Sequence, residues 1–322
     1  MTQFERIILG RQAKELGFVR DTFEKVCRLV SILGFIQKDP LLADSLALKG
    51  GTAINLTIFD LPRLSVDIDL DFSNNVSREE MLATRKLITE RIHKYMNAQG
   101  YLISDKSKNY YALDSFVYDY QNSGGVKDNL KIEINYMLRC HVLKPKRRAI
   151  KLPWLKQEIS VLCVDPLEIY GSKIVALLNR AAPRDLYDIQ TMIKNELFDK
   201  SQEPMLKKCV MFYSAIGSDT IPERFDFERI SSVTQYQVKT DLVPVLKSGT
   251  WFDAEKAQEQ ATSYLQKILT PDVRELSFWT SFRQGEYHPE LLFQDENILS
   301  RIGNHPMAIW KCNNIRNRNL TK

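Results

Sequence analysis

Asp67, Asp69 and Asp71 stand two residues apart and alternate with Val66, Ile68, Leu70 and Phe72. On a β-strand such residues share one face, so the carboxylates form a row with Cα atoms about 7 Å apart. At an effective dielectric near 20, unit charges at that distance repel by about 2 kcal/mol per pair. A row of this kind is either a solvated strand face or a set of oxygens with a cation among them. No His or Cys lies near, and hard oxygen donors favour Mg²⁺ or Mn²⁺. Upstream, the apolar run Leu46–Leu48 ends in Lys49-Gly50-Gly51-Thr52, with 15 residues between Gly51 and Asp67. Two glycines let backbone N–H groups approach a phosphate, and a helix starting there adds free donors. The Thr52 hydroxyl is placed to cap that helix or to bind phosphate.

A second group of chemically able residues comes later. Asp165-Pro166 opens a helix through Arg180, with Pro at its first position and Glu168 three residues after Asp165 in the form of a capping box. Leu167, Tyr170, Ile174, Leu177 and Leu178 form its apolar stripe. Lys173 borders that stripe and Arg180, seven residues on, falls on nearly the same face. Two cations there suit triphosphate or RNA phosphate, or else make a solvated flank. Arg184 and Asp188, at i and i+4, have the spacing of a helix ion pair.

The elements that must position these groups follow from pattern. The first 40 residues read as helix, with Phe23, Val26, Val30 and Leu33 on one side. Helix is expected at 53–58 up to Pro62, and a half-buried strand from Ser65 to Phe72. Ser77-Arg78-Glu79-Glu80 is a capping box for a helix ending before Gly100. Strands are expected near 101–104, 110–120 and 129–138, the last two joined at Asn122-Ser123-Gly124-Gly125 as a hairpin. Tyr110, Tyr111, Tyr118 and Tyr120 there either stack bases or pack. The basic segment 144–151 is an RNA-binding edge or a soluble loop, and precedes a strand at 159–164. Beyond it the chain reads as helical, near 184–195, 204–215, 253–269 and 271–283.

With 322 residues, 44% hydrophobic and 26% charged, the chain has the makings of two globular domains and excludes wholesale disorder, a collagen-like repeat and a disulfide miniprotein. The five cysteines never form a CxxC pair and the four histidines form no HExxH, which argues for reduced structural thiols and against structural zinc. A net charge of +5 permits a polyanionic partner without demanding one. No apolar run approaches the roughly 18 residues of a membrane helix, and the charged start is not a signal peptide. The chain reads as cytoplasmic with no membrane partner.

Gly-Gly-Thr before Asp-Ile-Asp resembles the pattern of DNA polymerase β-like nucleotidyltransferases. The longer strings, Lys49–Ala53, Leu61–Leu70, then Asp165–Glu168, Lys173, Arg180 and Pro183–Asp188, closely resemble the AbiEii/AbiGii toxin family. A looser match covers Gly285–Phe293 and His305-Pro306. The resemblance implies an α/β (α+β) fold: a nucleotidyltransferase domain with a small mixed sheet over 1–164, and a mainly helical domain over 165–322 that completes the active-site cleft. It also implies NTP as substrate and Mg²⁺ or Mn²⁺ held by Asp67, Asp69 and Glu133, the last set between Ile132 and Ile134 with Lys131 and Asn135 on its face. Phosphates would rest on Lys49, Gly50, Gly51, Thr52, Ser65, Arg180 and Arg184. Lys173 and Asp185 join Asp67 and Asp69 as catalytic, Asp185 holding Lys173 or binding the attacking hydroxyl. The implied acceptor is the 3′ end of tRNA, blocked so that translation stops, with an antitoxin as partner. A small-molecule acceptor, a protein acceptor, or a nucleotide-binding module without catalysis are the alternatives.

Overall fold

The structure, a computed structural model, describes residues 4–152, 154–155 and 157–320. It divides into two compact units. The first holds 1–139, 145–164 and 243–250; the second holds 140–144, 165–242 and 251–322.

The first unit is built on one mixed sheet. Its strands are β1 (Leu46–Lys49), β2 (Asp67–Phe72), β3 (Leu102–Ile103), β4 (Lys108–Asn109), β5 (Leu113–Gln121), β6 (Lys127–Asn135), β7 (Lys146–Ala149) and β8 (Ser160–Cys163). They lie in the order β3-β5-β6-β2-β1-β8-β7, with β4 added on β5. β2 runs antiparallel to β1 and parallel to β6, so the aspartate strand is central. Ile68, Leu70, Ile132 and Ile134 are fully or almost fully buried, which accounts for the alternation in the sequence.

The first 40 residues form two helices, not a continuous one: α1 (Arg6–Leu16) and α2 (Arg20–Lys38). Gly17 adopts φ 81° and turns its N–H back onto the last carbonyls of α1, which ends the helix. The short helix α3 (Pro40–Ser45) then starts at a proline capped by Asp39. The residues expected as a helix at 53–58 form one α-turn, α4 (Gly50–Ala53), widened into a π turn over Ile54–Ile58. The strand begins at Asp67 rather than Ser65, because Leu64 donates its N–H to Val245 and Arg63 bridges Leu246. Helix α5 (Arg78–Ala98) has its Ser77/Glu80 capping box, and Asn122–Gly125 closes the β5–β6 hairpin. The basic segment is the edge strand β7, where charges discourage pairing with another chain and Arg147 is bound by Asp44. Tyr118 and Tyr120 are packed inside, whereas Tyr110 and Tyr111 are exposed.

In the second unit, α6 (Pro166–Arg180) is followed by α7 (Pro183–Lys194) and α8 (Glu203–Gly217), with further helices at Ala254–Ile268, Val273–Arg283, Glu296–Ile302 and Pro306–Leu320. The predicted stripe on α6 is buried. Gly171 allows α8 to approach: a Cβ there would lie 2.7 Å from Cys209 Cβ and 3.1 Å from its carbonyl carbon.

Asp165 caps α6 through the N–H of Leu167, but Glu168 does not complete a capping box. Its carboxylate accepts from the N–H groups of Val142 (2.9 Å) and Leu143 (2.7 Å) and from the Tyr213 hydroxyl (2.6 Å), tying 140–144 to α6. Burial outweighs these donors and pushes its pKa up to about 7. A carboxyl raised in the folded state stabilises below its unfolded value and loses that contribution as pH climbs through the folded one. Thermal melts of the wild type should therefore fall, by about 3 kcal/mol of stability, between pH 4.5 and pH 7 relative to Glu168→Gln. Parallel profiles would contradict this.

All five cysteines are buried and unbridged. Among the described residues, no helix is long and apolar enough to cross a membrane.

Candidate functional site

The aspartate face of the first unit is assembled by register. Asp69 lies opposite Lys49 of β1 and Glu133 of β6, and Asp67 lies beside Lys131. Residues paired across strands point to the same side of the sheet, so all five side chains share one face. Asp67, Asp69 and Glu133 are half-buried, between the exposure of a surface strand and that of a core.

Asp71 behaves differently from its two neighbours. It is buried, and Lys49 reaches it at 2.6 Å. Burial drives the Asp71 pKa up and Lys49 opposes that shift without cancelling it. Lys49, expected on the phosphates, thus serves the third aspartate. Asp67 and Asp69 are less deeply buried than Asp71.

Glu133 lies in register with Asp69, but its carboxylate sits 2.9 Å from Lys131 Nζ. Burial pulls the Lys131 pKa down; Glu133, then Asp67 and Asp69, more than offset this and hold it above the ordinary lysine value. Among the described residues, no three Asp, Glu, His or Cys side chains are gathered into a coordination shell. The donors still fit a hard cation, because Mg²⁺ is commonly held by one or two carboxylates with water and substrate phosphates completing its octahedron.

The glycine turn presses against this face. Gly50 has φ +66°, and a Cβ on it would meet Asp69, lying 3.2 Å from both Cβ and Cγ of that residue. A Cβ on Gly51 would lie 2.9 Å from Ser65 Oγ and from Arg63 Nη2. Thr52 is fully buried and donates its hydroxyl to the Asp67 carbonyl, so it ties the turn to β2. Behind the turn, Asn55 donates to the Gly51 carbonyl (2.6 Å) and accepts from the Arg63 N–H (3.3 Å). Arg63, almost wholly buried, was not singled out by sequence reasoning. Only its place in the Leu61–Ser65 string could have marked it.

Gly50→Ala should therefore fold with a modest loss of melting temperature and displace the Asp69 carboxylate. A misplacement near 1 Å predicts about a 10²-fold fall in kcat. Steady-state kinetics at wild-type rate would show that the turn tolerates a side chain.

In the second unit the predicted residues also converge. Lys173 Nζ lies 2.9 Å from Asp185 Oδ1 and 3.1 Å from Asp188 Oδ2, and Arg180 Nε lies 2.8 Å from Asp185 Oδ2. Both aspartates are 1% exposed, while the Arg180 side chain is largely exposed. Burial alone would raise the Asp185 pKa; Lys173 and Arg180 bring it below the usual carboxylate value. Ala181, at φ 48°, turns the chain sharply enough for α7 to return these carboxylates to α6. Arg184 donates to the Asp241 carbonyl at 2.7 Å. The i, i+4 spacing missed the ion pair that Asp188 makes with Lys173.

Comparison with known proteins adds a lineage to this geometry. The family model described as "Nucleotidyl transferase AbiEii toxin, Type IV TA system" matches residues 35–270. The fold is similar to that of MenT4, a nucleotidyltransferase toxin from Mycobacterium tuberculosis H37Rv, at 15% identity and a TM-score of 0.65. That match covers 92% of this chain and 99% of the other. No curated protein matches the chain.

Proposed function

We propose that this chain, which belongs to the AbiEii family of nucleotidyl transferase toxins of type IV toxin–antitoxin systems, transfers a nucleotide from an NTP to the 3′ end of tRNA, with a divalent cation held by Asp67 and Asp69, and so stops translation. Nucleotidyl transfer, NTP as substrate and an antitoxin partner come with the family. The observation that supports a cation there is the shared face of Asp67, Asp69 and Glu133, with the Gly50 turn against Asp69.

Each residue has a part that follows from its surroundings. Asp67 and Asp69 would hold Mg²⁺ or Mn²⁺, with Glu133 as the third carboxylate of the face. The ion, when bound, supplies Lewis acidity that lowers the pKa of the attacking hydroxyl and offsets charge on the triphosphate. Lys49 neutralises Asp71, which keeps a third buried charge from competing for the ion. Gly50 and Gly51, free of side chains, offer backbone N–H groups to the phosphates, with Ser65 beside them and Thr52 holding the turn to β2. In the second unit Lys173, Arg180 and Arg184 are cations that suit phosphate groups, and Asp185 orients the first two. The acceptor hydroxyl attacks the α-phosphorus in line, and the bond to the β-phosphate oxygen breaks.

The test is incubation of the purified chain with total RNA, Mg²⁺ and each of the four α-labelled NTPs in turn. Label on tRNA supports the reading. Label on protein or on a small molecule moves the acceptor, and label nowhere removes the chemistry.

A further inference from the structure

The second unit carries a basic cavity lined by one tryptophan, Trp310. The helix Pro306–Leu320 buries Ala308 and Cys312, and turns Met307, Trp310, Asn314 and Arg318 along another face at helical spacing. That face lines a cavity of about 530 Å³ together with Lys311, Arg283 and Asp219. Trp310 is 48% exposed, unusual for so large an apolar ring. The lining has three cations against one acid, and the helix itself carries Lys311, Arg316 and Arg318 with no carboxylate.

Two hydrogen-bonded features make this a built site rather than a loose charged surface. Lys311, half-buried, donates to the Ser218 carbonyl, and burial lowers its pKa. Arg283 is braced by the Pro222 carbonyl at 2.8 Å and by Thr280 at 3.2 Å. The stretch Gly217–Asp219 lines this cavity and also a second one, of about 480 Å³, which reaches Asn179 at the end of α6 and carries Arg224 and Arg229. Arg180, which pairs with Asp185, is the next residue on that helix. The second cavity balances its two arginines with Asp219 and Asp226, so the excess of cations belongs to the cavity beside Trp310.

We infer that the cavity beside Trp310 is an RNA-binding surface, with an unpaired base stacked on Trp310 and backbone phosphates on Arg283 and Arg318. The inference rests on the reading that RNA is the acceptor, and adds where the RNA is held. A base offers a π-face to indole, phosphates meet the excess cations, and Asn314 supplies both a donor and an acceptor for a base edge.

The experiment measures binding of full-length chain to total tRNA by fluorescence anisotropy, without NTP, over a range of salt. Trp310→Ala should weaken binding about tenfold, while Trp310→Phe retains most of it. Arg318→Ala should weaken binding and lower the slope of log affinity against log salt by about 0.7 to 1. The KM for NTP at saturating tRNA should not change in any of the three. Wild-type affinity in Trp310→Ala and Arg318→Ala, or no tRNA binding by the wild type, overturns the inference. Labelling of tRNA by the wild type, assayed separately, decides the reading beneath it: label with unchanged variant affinities sinks only this surface, whereas weakened variant affinities without label sink only the reaction.

Discussion

Asp69→Asn is expected to lower nucleotidyl transfer by at least about 10³-fold, on the order of 4 kcal/mol of transition-state stabilisation, while the protein remains folded. The substitution keeps the shape that Gly50 packs against and removes a charge from a face where Asp67 and Glu133 remain. Relief of repulsion means the melting temperature should hold or rise. Asp71→Asn gives the contrasting result. Asp71 is buried and bound by Lys49, so its loss strands a lysine and should reduce stability more than it reduces turnover per folded molecule. Single-turnover rates and melting curves on both variants separate the two roles. Equal activity in Asp69→Asn and wild type would contradict the assignment of the site.

Lys173→Met is expected to abolish transfer and also to destabilise the second unit, on the order of 3 kcal/mol. Its ammonium lies between Asp185 and Asp188, both deeply buried, and removing it leaves Asp188 without that cation. Loss of activity alone would therefore not prove a role toward phosphate. Lys173→Met combined with Asp188→Asn removes one cation and one anion, and should recover much of the lost melting temperature with activity still absent. Recovery of transfer with the fold would make Lys173 a structural residue. The acid limb gives an independent check. Asp185 has a lowered pKa in the folded state, so its contribution is present above the unfolded value and vanishes as pH falls through the folded one. Lys173→Met should make the loss of stability below about pH 4 shallower.

Much of this arrangement could be read from local pattern. The Asp67–Phe72 alternation identified a strand with an apolar side in the core and an acidic side turned away from it, because a period of two separates the faces. The Ser77 box and the Asn122–Gly125 turn were equally legible, since each is complete within a few residues. What escaped were partnerships set by tertiary approach. Lys49 meets Asp71 only because β1 runs antiparallel to β2. Asp188 meets Lys173 across the turn at Ala181, a pairing that the helical i, i+4 rule does not find. Glu168 had the spacing of a capping box, yet the N–H groups of Val142 and Leu143 and the Tyr213 hydroxyl claimed it. Residues 243–250 return to the first unit, where Leu64 and Arg63 bind Val245 and Leu246, a pairing with no local signature. Spacing along the chain suggests which residues belong together; long-range pairing decides which partners each one meets.

The most direct test of the central claim compares NTP labelled at the α-phosphate with NTP labelled at the γ-phosphate, on intact tRNA and on tRNA whose terminal ribose has been opened by periodate. Transfer of a nucleotide to the 3′ hydroxyl predicts covalent α-label on intact tRNA, none on periodate-treated tRNA, and no γ-label on either, the γ-phosphate leaving in pyrophosphate. Covalent γ-label, or α-label that survives periodate treatment of the acceptor, would contradict the account.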